Sequence, residues 1–152
     1  MSNINHLEEV MSAEAELTER LVEVMSEQMT ALVNVDSATV EATTERQQEL
    51  LLPIEGLEHE RMRLTREVWK DFSKQDVEDS TLINLSSLMS CLKGDDASRI
   101  SNIGSRLHTA VEQMVKLNQA NQFLIDHSRK FVRETFRIVT NGFSRQLVDQ
   151  KM

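Results

Sequence analysis

Four histidines, one cysteine and a row of glutamates are the residues of this chain best equipped for chemistry. A helical bundle can hold a carboxylate-bridged metal pair, which needs Glu-x-x-His on facing helices. Three places before His6, His59, His108 and His127 stand Asn3, Gly56, Ser105 and Leu124, none of them acidic. Glu55 and His59 share a face at i, i+4, a spacing that reads as an exposed helix contact. Cys91 has no Cys or His at ligand spacing and reads as a small, partly buried apolar residue. The sequence carries neither a Gly-rich phosphate loop nor a Gly-x-Ser-x-Gly nucleophile turn. The expectation is no enzyme, no metal and no cofactor.

The elements that must position these residues are helices. The chain has 152 residues, 4% aromatic, no tyrosine, one proline and four glycines. Almost any β architecture would need more turn residues than that, and the scarcity of aromatics also argues against sandwiches and barrels. A first helix is expected from about His6 to Val33, capped by Asn5, with Leu7, Val10, Leu17, Leu21, Val24 and Met25 on one stripe. Glu14, Glu16, Glu19, Glu23 and Glu27 fall largely off that stripe and read as a solvated face. Asp36 or Ser37 caps a second helix, in which Pro53 predicts a kink or break. Residues 73–80 read as a linker and Thr81–Leu92 as a short helix. Lys93-Gly94-Asp95-Asp96 is a turn whose Asp96 can cap a last helix, from about Ala97 to Thr140 and roughly 60 Å long. Its stripe includes Ile100, Ile103, Leu107, Met114, Leu117, Leu124 and Phe131, with Asn118 and Asn121 near the seam. Asn141-Gly142 predicts the stop. The expected fold is all-α, an elongated antiparallel, coiled-coil-like bundle of three long helices and one short one. It forms a single domain over residues 1–142, followed by a short tail over 143–152.

Charge is uneven along the chain. Residues 1–60 carry 14 acidic and 2 basic side chains, a net of −12, whereas residues 128–152 carry 6 basic and 2 acidic, a net of +4. Opposite charges favour pairing of the first and last helices, choosing orientation more than adding stability. A net charge of −8 argues against nucleic acid and against an anionic membrane. No signal segment stands at the start, and the longest apolar run, about Leu50–Ile54, is too short to span a bilayer. The lone cysteine fits a reducing compartment. These features together predict a cytoplasmic protein with no membrane insertion.

The end of the last helix is unusually apolar. Phe123, Leu124, Ile125, Phe131, Val132, Phe136, Ile138, Val139 and Phe143 cover more than half of its circumference, more than one neighbour can bury. The remaining surface serves either core packing or a partner.

Two segments carry a resemblance. Asp36, Val40, Arg46, Leu50-Leu51, Leu57-Glu58 and Arg61 are similar to the second-helix pattern of the FlgN-like flagellar export chaperones. Leu117, Asn118, Asn121 and Leu124 resemble that family's Leu-Asn-x-x-Asn-x-x-Leu element in the last long helix. Within a bundle, the paired asparagines also suit a register-fixing role. The resemblance implies a chaperone for hook–filament junction proteins, hook-associated proteins of the FlgK/FlgL type, which it would hold unassembled and escort to the flagellar export gate. It also implies client binding by the C-terminal region, here Phe123, Leu124, Ile125, Phe131, Val132, Phe136, Val139 and Phe143, against C-terminal helical segments of the client. The alternative is a structural adaptor that forms a homodimer through its last helix.

Overall fold

The structure is a computed structural model that describes residues 2–73 and 85–151, with side chains over 2–72 and 86–142. It contains four helices and, among the described residues, no strand: α1 (Asn3–Val33), α2 (Ser37–Ser73), α3 (Leu85–Met89) and α4 (Gly94–Lys151). Successive long helices run antiparallel, so α1 and α4 lie parallel.

Ser2, not Asn5, caps α1, its side chain accepting from the Asn5 N–H at 3.4 Å. The buried stripe of α1 repeats at three and four residues, through Ile4, Leu7, Met11, Glu14, Thr18, Leu21, Met25, Gln28 and Ala31. Glu14 is thus a correction to the solvated face expected for the acidic residues of this helix. It is 5% exposed, since it stands one heptad after Leu7 and one before Leu21. The helix ends in a Schellman arrangement, with the Asp36 N–H donating to the Ala31 carbonyl at 2.8 Å and the Val35 N–H to the Leu32 carbonyl at 3.3 Å. The left-handed residue of that motif is Val35, with φ of 56°. Asp36 then caps α2 by accepting from the Thr39 N–H at 3.2 Å. Hydrogen bonds from the Thr39 hydroxyl and N–H hold the Asp36 carboxyl below its ordinary 3.8.

α2 runs unbroken through Pro53. Proline removes one N–H, and the ladder partner it orphans is the carbonyl of residue 49, on an exposed stretch of helix open to solvent. α4 likewise runs through Asn141-Gly142 rather than stopping there. A glycine stop needs the left-handed conformation, and among the described residues Gly94 is the glycine that adopts it, with φ of 66°. α4 begins at Gly94, so Asp96 lies in its first turn, bonded to the Arg99 guanidinium at 2.6 Å, and is not its cap. The expected linker over 73–80 and most of the lead-in to the short helix lie outside the described side chains. Within the described residues the short helix runs over Leu85–Met89, so it ends before Leu92.

α1 is the central helix, packed against α2 along one side and α4 along the other, while α3 bridges α2 and α4 at the foot of the bundle. The core there joins Leu7 and Met11 with Leu64 and Val68 of α2, Leu88, Leu92 and Ile100. Salt bridges fix the register of the helices. Arg61 donates to Glu14 at 2.7 Å and Arg46 to Glu27 at 2.7 Å across α1 and α2. Arg99 meets Glu8 at 2.9 Å and Arg106 meets Glu19 at 2.6 Å across α1 and α4. Among the described residues, the cations of other helices that pair with α1 come from the start of α4 and from α2, not from the basic terminal segment expected on charge alone.

Candidate partner-binding surface

α4 is far longer than the helices beside it. At 1.5 Å per residue its 58 residues extend for about 87 Å, against about 47 Å for the 31 of α1. Asn121 locates the point where they part. Its side-chain amide donates to the Met25 carbonyl at 2.9 Å and to Gln28 Oε1 at 3.2 Å, and Asn121 itself is 3% exposed. Val33 ends α1 five residues after Gln28, which puts that end level with about residue 126 of α4. From residue 126 to residue 142 every α4 side chain is exposed.

The protruding segment is not polar. Phe131 is 65% exposed, Val132 65%, Phe136 72%, Ile138 72% and Val139 63%. Phe123, 69% exposed, stacks on His127 with ring centroids 6.1 Å apart. Leu124 and Ile125 are half-buried at the edge of the bundle, and the Phe143 side chain lies outside those described. The pairs Leu124-Ile125, Phe131-Val132 and Ile138-Val139 recur every seven residues. They continue the Ile103, Ala110, Leu117 line of the bundle section beyond the end of α1. Arg129, Lys130, Arg133 and Arg137 lie on the opposite, polar side. An apolar stripe on a basic helix can seat another amphipathic helix along its length. Among the described residues, no group of three or more His, Cys, Asp or Glu side chains could hold a metal, and no helix is long and apolar enough to cross a membrane.

The sequence profile of the FlgN protein family matches residues 1–148. The chain belongs to the FlgN family. That makes it a member of a family of flagellar export chaperones, on a match that takes in α1, α2, α3 and α4 up to residue 148. No curated protein and no solved structure matches it.

The residues that carried the FlgN resemblance have distinct structural roles. Asp36 is the α2 cap, and Leu57 packs on the core. Arg61 holds the buried Glu14, while Glu58 is exposed. The two leucines diverge, Leu50 half-buried and Leu51 52% exposed. Of the asparagine pair, Asn121 is buried between α1 and α4 and fixes their register, whereas Asn118 is exposed. Leu117 and Leu124 pack at the edge of the stripe. The sequence reading did not single out Val115, 45% exposed, or the gap it faces between α2 and α4. The only signal for it was an apolar residue one position off the main stripe.

Proposed function

We propose that this FlgN-family chain is a cytoplasmic chaperone that binds C-terminal helical segments of hook-associated proteins of the FlgK/FlgL type, keeps them from assembling prematurely and delivers them to the export gate. The observation that carries this reading is the protruding end of α4, with five large apolar side chains each more than 60% exposed, four of them, Phe131, Val132, Ile138 and Val139, on the line that packs on α1 elsewhere. A client helix laid along that line occupies the place α1 would take if it were longer. Segments that polymerise through apolar helix faces would be masked by such a contact, with no cofactor and no covalent step. The basic side of α4 favours a client helix with acidic flanks, which sets orientation and speeds encounter more than it adds affinity.

The test is co-expression with the C-terminal segment of a hook–filament junction protein, followed by size-exclusion chromatography with light scattering. A one-to-one complex is expected. Failure of the folded chain to retain any such segment would overturn the reading.

A further inference from the structure

The turn that joins α1 to α2 carries two valines to which the fold gives little cover. Val33, the last residue of α1, is 64% exposed, and Val35 is 87% exposed. Val35 is also the left-handed residue of the Schellman arrangement, with φ of 56°. That position ordinarily takes glycine or asparagine, because a Cβ there crowds the following carbonyl. Asn34, which would suit it, stands one residue earlier with φ of −86°. The turn therefore holds a β-branched apolar side chain against backbone strain and gains almost no packing from it within the chain.

The place of these valines connects them to α4. Ser12 lines a gap between α1 and α4 beside Arg99 and Ile103, and Glu19, one heptad on, pairs with Arg106 of α4. Val33 lies two further heptads along the same line, which puts it on the side of α1 that faces α4. It is level with about residue 126, and α4 continues past it with Phe131, Val132, Ile138 and Val139 exposed. The turn and the protruding stripe thus meet at an inner corner, with α4 as its wall and residues 33–35 as its floor.

We propose that Val33 and Val35 form the base of the client seat, and that the client is an apolar helical segment whose end rests on them while its flank lies along α4. The inference rests on the reading of the protruding helix as the client surface and names further residues that complete it. A helix in the place α1 would take if it were longer begins where α1 ends, so the turn is what its end meets. From residue 126 to residue 142 the wall extends for about 24 Å, enough for a client segment of about 16 residues. The apolar pairs of the wall repeat every seven residues, so a client slipped by one heptad would still match them. The base removes that freedom and fixes one register. Covering Val35 also gives the strained position an apolar contact that the free chain does not provide.

Titration of a labelled C-terminal segment of a hook–filament junction protein tests this, with urea midpoints read in parallel. Val35→Gly should raise the midpoint and weaken binding, opposite shifts that damage to the fold would not produce. Val33→Ser with Val35→Gly should weaken binding by at least about tenfold with helicity retained, because both covered valines are lost from the contact. Leu52→Ser, at a side chain 75% exposed and about 22 Å down α2 from the turn, should leave affinity within about twofold. In a Cys91→Ser background, Val33→Cys should form a disulfide with a cysteine at one end of the segment, and with none at its middle or its other end. Turn variants that bind like wild type, an equal loss in Leu52→Ser, or cross-linking from the middle of the segment overturns the inference. The chaperone reading then stands on wild-type binding that Phe131→Ser with Phe136→Ser removes. A wild-type chain that retains no segment overturns both.

Discussion

Replacing Arg61 by Met strips the buried Glu14 carboxylate of its partner. The side chains are 29% and 6% exposed respectively, and the guanidinium Nε lies 2.7 Å from Glu14 Oε2. Glu14 has little access to water, whereas Arg61 can turn partly outward, so the two single losses should differ. Breaking a buried pair from one side costs about 3–5 kcal/mol, and the partial exposure of Arg61 lowers the expected loss for Arg61→Met to about 2–4 kcal/mol. Glu14→Leu should cost less, about 1–2 kcal/mol, because the freed guanidinium can reach solvent. With both changes together the charge is gone and two apolar side chains meet at the same place, so the double variant should lie within about 1 kcal/mol of wild type. Urea unfolding followed by Trp69 fluorescence measures all four corners of the cycle. Trp69 is partly buried against the core on the same helix, two turns beyond Arg61. A coupling energy below about 0.5 kcal/mol, or an Arg61→Met variant as stable as wild type, would refute the argument that this family-pattern arginine is there to neutralise a buried acid.

Val35 holds a left-handed conformation with φ of 56°, so Val35→Gly should raise stability by about 1 kcal/mol in the same urea assay. The Asp36 carboxyl is held below its ordinary value, so its capping contribution is present above 3.8 and lost as pH falls through the depressed value. Urea midpoints of wild type and Asp36→Ala should therefore differ at neutral pH and converge in acid. Phe131→Ser with Phe136→Ser removes side chains 65% and 72% exposed, so stability should shift by no more than about 0.5 kcal/mol. Client affinity should fall by at least about 100-fold if each ring is buried on binding, read by titration of a labelled client segment.

What was legible in the sequence was periodic. The stripe of α1, the start of α2 at Asp36 and the line Ile100 to Leu124 follow from three- and four-residue spacing, which neighbouring side chains impose on one another. Register between helices was not legible, because it depends on residues far apart in sequence. Net charge suggested that the acidic first helix would meet the basic end. Yet α1 stops level with about residue 126, and Arg99 and Arg106 make the pairs instead. Composition hid Glu14 among its neighbours, although its seven-residue spacing from Leu7 and Leu21 marked it as inward. Gly142 and Pro53 failed as punctuation for a shared reason: a breaker ends or interrupts a helix only where the chain has something to turn towards or water cannot take up the freed group. The exposed apolar end of α4 was readable as excess, since too much of its circumference is apolar for one neighbour. Its protrusion beyond the bundle was not.

The central position of α1 also sets the order in which the molecule can assemble. α1 and α2 are joined by the short turn at residues 34–36, so their pairing closes a small loop. The α1–α4 pairs Arg106–Glu19 and Asn121–Met25 instead join residues 87 and 96 positions apart. During synthesis the α1–α2 hairpin is complete at residue 73, and the last bundle-packed residues of α4, near 126, emerge some 50 residues later. At ribosomal rates of roughly 5–20 residues per second, that is a delay of about 3–10 s. A chain at that stage has the α4-facing side of α1 uncovered, and the acidic excess of its two helices opposes association with other acidic chains until α4 arrives.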